Sequence, residues 1–360
     1  MSLAGCTSSP FGGFLESPLH VRDDAQESSV ILQAGTSIWK IRAGKVVWRV
    51  TIAGATDLSL TGLGATREYV YCAAWIGGVW TIVQLAQADG SLVRTNALGC
   101  ATACPNSYGQ ILAIGFDATN ARYVLDETLV VQASGTGAGW LQARFSSTMV
   151  LREQSNGYWA AGQDDDNAAM QWFLIGPSLG YTWSNLGGPG YPYDSRGTVG
   201  PISSGPPGTV VCYARSTSAR VGELCENVWS QRIGGWTTWN PILHGAAQAL
   251  VIGPSGISVY QLSPSYPLTG TLSAGTLYPE GAAPLVLSVV EDFGGELVTL
   301  GTDGGSPWIC RTTGSGVRYW KMDGADLAGL SLTWNVRMIL ACCGLGESYP
   351  GIWGPSAWQA

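Results

Sequence analysis

The sequence predicts an all-β chain, a β-propeller of seven or eight blades, and three observations carry that expectation. Glycine supplies 50 of the 360 residues and charged residues only 12%, the balance of a turn-rich protein with little exposed helix. Short alternating apolar runs follow one another between those glycines. A large aromatic recurs in these runs just after a turn: Trp39, Trp80, Tyr123 and Trp172 are separated by 41, 43 and 49 residues, and Trp308 and Trp353 by 45. The 136 residues from Trp172 to Trp308 divide into three units of about 45, the length of one four-stranded blade. A β-sandwich or an irregular multi-sheet protein is the alternative, because Trp229 and Val259 fall off the spacing inside that interval.

Residues 1–28, rich in Ser, Pro and Gly, read as an extended N-terminal arm, and 29–360 as the propeller-like domain. The first strand group is Val30 to Ala34, Ser37 to Arg42 and Lys45 to Ile52, with Ala43-Gly44 as a two-residue hairpin loop. The second is Tyr69 to Trp75, Val79 to Leu85 and Ser91 to Thr95, turned by Ile76-Gly77-Gly78 and Ala88-Asp89-Gly90. Later groups repeat the pattern: Ile111 to Phe116 with Ala121 to Leu125, Gly157 to Gly162 with Met170 to Ile175, and Thr209 to Arg215 with Glu223 to Gln231. Ala249 to Gly253 with Gly256 to Leu262 follows, then Leu285 to Val290 with Glu296 to Gly301 and Trp308 to Thr312, and finally Val336 to Cys342. Asp126 to Gln132 reads equally as a short helix or a strand. The last marker, Trp353, sits seven residues from the C-terminus, so the final blade lacks an outer strand, which the N-terminal residues are expected to supply.

A net charge of −7, with only three lysines and fifteen arginines scattered singly, excludes broad contact with nucleic-acid phosphates. No run approaches the roughly 20 apolar residues of a membrane-spanning helix. Leu3-Ala4-Gly5-Cys6 has the letters of a lipobox, but only Met1 and Ser2 precede it, too few for the apolar stretch of an export signal. The nine cysteines are therefore expected as reduced thiols, with Cys72, Cys310 and Cys342 buried as small apolar side chains.

No catalytic set, metal or cofactor is expected. Asp164-Asp165-Asp166-Asn167 lacks the alternating spacing of a calcium loop and reads as a solvated turn. Cys100 and Cys104 resemble half of a zinc site without a second pair, and read as a loop carrying two thiols. The two histidines, His20 and His244, lie far apart in sequence, and no nucleophile elbow or phosphate-binding loop occurs. Two Gly-rich aromatic loops are the candidate ligand-binding surfaces. One carries Tyr191, Tyr193 and Asp194, the other Trp236 and Trp239; flat rings with polar tips suit a sugar or a protein.

Asp303-Gly304-Gly305-Ser306-Pro307-Trp308 resembles the D-x-G-x-x-W part of the Asp-box of sialidase-type propellers, with Gly301 where that motif has Ser or Thr. The resemblance implies a structural staple under a hairpin turn, not hydrolysis. The Gly-rich, Lys-poor strand groups from Val30 to Trp353 also resemble structural proteins of tailed bacteriophages, the nozzle and hub proteins of short tails. That resemblance implies a non-catalytic virion component, assembled in the host cytoplasm with other virion proteins as an oligomeric ring. The alternatives are a lectin-like propeller that binds a surface glycan and a sialidase-like glycoside hydrolase.

Overall fold

The computed structural model describes the backbone of strands between residues 29 and 340. It describes side-chain surroundings over most of 29–136 and in 175–179, 255–259, 268–280, 298–302, 308–310 and 319–322; residues 1–28, 341–360 and several connections lie outside the described residues. The chain opens with β1 (Ser29–Ala34), β2 (Ser37–Arg42) and β3 (Lys45–Thr51). The second group is β4 (Ala55–Leu58), β5 (Gly64–Ala65), β6 (Tyr69–Ile76), β7 (Val79–Ala86) and β8 (Leu92–Asn96). The third is β9 (Cys104–Pro105), β10 (Ile111–Ile114), β11 (Ala121–Leu125) and β12 (Val131–Thr136). The fourth is β13 (Val150–Glu153), β14 (Trp159–Asp164), β15 (Met170–Ile175) and β16 (Tyr181–Asn185). The fifth is β17 (Arg196–Ser203), β18 (Gly208–Arg215), β19 (Ser218–Glu223) and β20 (Val228–Arg232). The sixth is β21 (Asn240–His244), β22 (Gln248–Gly253), β23 (Gly256–Gln261) and β24 (Leu268–Ser273), followed by the single helical turn α1 (Ala274–Leu277). The seventh is β25 (Leu285–Glu291), β26 (Leu297–Thr302), β27 (Pro307–Thr313) and β28 (Gly316–Lys321), and β29 (Arg337–Leu340) comes last.

Among the described residues these strands make seven antiparallel sheets, six of four strands and one of five. The first-in-line strands touch in sequence: β29 meets β5, β5 meets β9, β9 meets β13, β13 meets β17 and β17 meets β21. The sixth and seventh sheets meet through β22 and β25, and β25 returns to β29, which closes the circle. Each sheet is thus a radial unit with one edge at the axis and its fourth strand outside.

Period-2 alternation builds the walls between units. Val30 and Leu32 pack with Trp39 and Ile41 against Val298, Leu300 and Ile309 of the last sheet, whereas Ile31, one residue out of phase, packs with Ile38 against Val70, Cys72 and Val83 of the second. Tyr71, Ala73 and Ile82 face Ile111, Ala113 and Leu125 of the third sheet, and Leu277 with Tyr278 faces Trp308 and Cys310 of the seventh. A sheet covered on both faces reads as a continuous apolar run, and all six residues of β1 are buried. Between the first two sheets, Lys40 is buried and donates from Nζ to Gln87 O (3.0 Å) and Oε1 (2.7 Å), while Gln87 Nε2 donates to Thr66 O (2.8 Å).

Glycine sets the closest approaches. Gly44 (φ +75) turns the β2–β3 hairpin, and a Cβ there would lie 2.5 Å from Trp320 Cβ of the last sheet. A Cβ on Gly64 would lie 2.4 Å from Pro105 Cδ, so adjacent first strands of the second and third sheets meet only without a side chain.

Three expectations need correction. The N-terminal strand does not supply a missing outer strand: β29 lies inside β1, pairing Val30 with Leu340 and Gln33 with Arg337. The reason is burial, since a strand covered on both faces cannot sit at a solvent edge. Asp126 to Gln132 is neither a helix nor one strand, because Asp126 Oδ1 accepts from the N–H groups of Thr128 and Val130 and closes a turn that delivers β12. Cys100 and Cys104 lie not on a free loop but along the inner edge of the third sheet, Cys100 bridging Gly115 and Cys104 in β9.

Candidate functional site on the two faces of the ring

In a four-stranded antiparallel unit the last strand ends on the face where the first began. The second–third hairpins and the crossings between sheets therefore share one face, here the upper; the first–second and third–fourth hairpins share the lower. Large apolar side chains left exposed among the described residues concentrate at one level of the lower rim, at the start of the fourth strand. They are Val47 on β3, Leu92 (63% exposed) and Val93 on β8, Val130 (56%) and Val131 at β12, and Leu268 (53%) on β24.

A repeated backbone irregularity accounts for them. In each of these four sheets the register between the third and fourth strands shifts near that end, between Lys40/Ile41, Gln84/Leu85, Val124/Leu125 and Val259/Tyr260. A bulge adds one unpaired residue, breaks the alternation and aims neighbouring side chains outward. Fourth strands of the other three sheets begin with Tyr181, Val228 and Gly316-Val317, so apolar residues recur there in sequence. Side chains along β8 join the second sheet to the lower rim of the third: Arg94 Nη1 donates to Thr128 O (2.9 Å) and Asn96 Nδ2 to Leu129 O (2.9 Å).

The upper face carries aromatics. The β6–β7 hairpin turns through Gly77 (φ 59) and Gly78 (φ 89), both positive as a two-residue type I′ turn requires. That register sets Trp75 opposite Trp80, with ring centroids 5.4 Å apart at 68°. Trp75 is 36% exposed, and Asp57 on β4, also exposed, stands opposite it on the other side. Sequence reasoning missed this pair because Trp80 served there as a strand marker; two tryptophans flanking a two-residue turn are the signal that reveals it.

The five candidates Tyr191, Tyr193, Asp194, Trp236 and Trp239 lie outside the described residues. The strands that bracket them are described. β16 ends at Asn185 and β17 begins at Arg196; β20 ends at Arg232 and β21 begins at Asn240. Both loops are crossings between sheets, on either side of the fifth, with their anchor points on the upper face. Asp164 ends β14, and Asp165, Asp166 and Asn167 lie outside the described residues, as do His20, Cys342, Cys343, Trp353 and the Asp303–Ser306 part of the Asp-box-like segment. His244 ends β21. Trp308 is fully buried, 6.4 Å from Tyr278 and 5.9 Å from Tyr319, with Lys321 Nζ 5.1 Å above its ring.

The groups with altered proton affinity are core groups. Burial pushes the Cys72 thiol up to about 12, and also the Cys310 thiol, against a hydrogen bond with Thr299. Burial likewise pushes the Tyr71 hydroxyl up to about 12 and Tyr278 well above its ordinary value, although Tyr278 Oη donates to Thr299 Oγ1 at 2.6 Å. Cys100 and Cys104 are buried thiols, each with Sγ 3.8 Å from a backbone carbonyl, of Leu98 and Pro105. Such thiols are poor nucleophiles. Among the described residues no group of three His, Cys, Asp or Glu is placed to hold a metal ion, and no helix is long and apolar enough to cross a membrane.

A pH dependence follows, with its sign. These groups are neutral when protonated and bind the proton more tightly when folded. For Cys72, Cys310 and Tyr71 the contribution is complete below the unfolded values, near 9 for the thiols and 10 for the tyrosine, and is lost as pH rises through the folded values near 12. The urea midpoint is expected to hold up to about pH 9 and then fall steeply. Under native conditions at pH 8, Cys72 and Cys310 should react with a thiol reagent only through unfolding; labelling as fast as in the denatured chain contradicts their burial.

No family model matches the chain, and no curated protein matches it in sequence. Solved structures do. A protein of unknown function from Desulfotomaculum acetoxidans DSM 771 superposes with TM-score 0.52 at 11% identity, over 82% of this chain and 96% of that one. The dihydro-heme d1 dehydrogenase NirN, solved in complex with DHE, superposes with TM-score 0.53 at 11% identity, over 86% and 76%. The Dos1 propeller gives 0.50 at 12% identity, over 76% and 74%. At such identities the likeness is one of fold alone, and with the closed circle of radial sheets it makes this chain a β-propeller.

Proposed function

We propose that the protein is a non-catalytic propeller that works by binding other proteins in an assembly, and that this assembly is the tail of a bacteriophage virion. The observation that carries the reading is the recurrent apolar level on the lower rim. Exposed aliphatics scattered singly need no explanation, but aliphatics exposed at or beside the same bulge in four sheets are a patterned surface. Repetition around an axis suits a partner that shares the axis, as stacked rings do. The bulges also discourage direct strand addition at the outer edges, which favours contact through side chains. The chain's Gly-rich, Lys-poor composition resembles that of virion building blocks.

The test is a Leu92→Asp/Val131→Asp double variant, studied by sedimentation beside the wild type and by recovery with phage particles. Both positions are on the surface, so the urea midpoint should move little, within about 0.5 kcal/mol per site. The wild type is expected to assemble or to purify with particles at fixed copy number, and the variant to remain a folded monomer. Equal assembly by both would refute the rim as the interface; turnover of a glycoside, lost on replacing one carboxylate, would replace the reading with an enzyme.

A further inference from the structure

We propose that Asp57, Trp75 and Trp80 on the upper face form a receptor for a cationic side chain, the guanidinium or ammonium of an arginine or lysine on a protein partner. Residues directly opposite on neighbouring strands share a face, and Asp57 pairs with Trp75 as Trp75 pairs with Trp80. The three therefore form a row across β4, β6 and β7, on the side that packs lower down, through Ala73 and Ile82, against the third sheet. Two rings at 68° form a corner, and Asp57 and Trp75 are exposed where the row leaves the core. Indole faces carry negative potential, and a carboxylate accepts hydrogen bonds but donates none. A cation matches every one of these groups. A saccharide would leave the carboxylate's charge uncompensated, whereas a cation neutralises it while lying on the ring faces.

The chain makes the same pairing itself, with exposed cations of outer strands over buried rings. Arg49 stands opposite Trp39 with its guanidinium carbon 5.2 Å from the ring centroid, and Lys321 stands opposite Trp308 with Nζ at 5.1 Å. Trp39, Trp80 and Trp308 all sit on the third strand of their sheets. In the first and last sheets the fourth strand brings a cation to the ring; in the second, the carboxylate on β4 stands beside the pair from its inner side. The net charge of −7 favours a basic partner.

The full chain carrying 5-fluorotryptophan is suited to fluorine NMR, with the two resonances assigned through Trp75→Phe and Trp80→Phe. Titration with N-acetyl-arginine amide is expected to shift both saturably, with affinity about fivefold lower in Asp57→Asn and lower again at high salt, as a cation held by ring faces and one carboxylate requires. Asp57 is exposed, and the remaining fluorotryptophan signals verify that this variant is folded. Three results overturn the proposal: shifts with methyl glucoside but not with the arginine amide, shifts with tetramethylammonium alone, which would indicate a quaternary ammonium headgroup, or identical titrations in wild type and Asp57→Asn. The row lies on the opposite face from the aliphatic rim, so the Leu92→Asp/Val131→Asp variant should bind the arginine amide as the wild type does, and failure of one site leaves the other standing.

Discussion

Ile339→Pro is expected to destabilise the protein by more than about 3 kcal/mol, because it places a residue without an N–H in the strand that joins the two ends of the chain. Ile339 pairs with Ile31 across more than three hundred residues of sequence, and β29 has β1 on one side and the axis on the other. Loss of that pairing detaches the first sheet from its inner strand and loosens the wall where Val30, Leu32 and Trp39 meet Val298 and Leu300. At this wall the chain runs from β28 only as far as β29, and β1 to β3 are joined to it by strand pairing and packing. The appropriate control is Val93→Pro, at the unpaired bulge position of an outer strand, where proline is tolerated. Equilibrium urea unfolding of both variants decides the matter: similar midpoints would mean that β29 does not close the ring.

The features legible in the sequence were those repeated once per unit. Trp39, Trp80, Tyr123, Trp172 and Trp308 all lie on the third strand of their sheets, which is why their spacing measures the unit. The marker is lost in the fifth sheet, whose third strand, SARVGE, contains no aromatic; Trp229 lies on the fourth strand instead. Val259, in the third strand of the sixth sheet, keeps the position with a smaller side chain. Glu223 to Gln231, read as one strand, is the end of β19 and the start of β20.

Inner strands were the least legible elements. β5 is Gly-Ala and β9 is Cys-Pro, too short for alternation and built from small residues because neighbouring backbones converge at the axis. Closure becomes legible only with the burial of β1: six buried residues in a row, Ser29 and Gln33 among them, exclude an edge position and require a partner inside it. The lower rim was not foreseeable, because a bulge resets the period of 2 and turns outward residues that alternation would assign to the core. The upper-face row was half visible, as Trp75 and Trp80 flank Gly77-Gly78, but Asp57 joins them only through the pairing of β4 with β6.

Trp39→Ala is expected to cost about 3–5 kcal/mol, whereas Trp39→Phe should cost about 1 kcal/mol or less, a wider gap than ring size alone predicts. Trp39 is fully buried in the closing wall, yet among the described residues its indole N–H has no hydrogen-bond partner, and the same holds for Trp308. A buried donor left unsatisfied carries a penalty of about 1–3 kcal/mol, which phenylalanine removes while keeping most of the apolar surface and a ring face for Arg49. Trp48 supplies the contrast, since its Nε1 donates to Gln87 O at 2.9 Å and phenylalanine there forfeits a satisfied bond. Trp48→Phe should therefore be more destabilising than Trp39→Phe by about 1 kcal/mol, despite near-equal burial. Urea midpoints of the two phenylalanine variants and of Trp39→Ala test this directly. If Trp39→Phe proves as damaging as Trp39→Ala, the indole nitrogen is engaged, and the ring rather than the N–H ceases to be what selects tryptophan at the third-strand position.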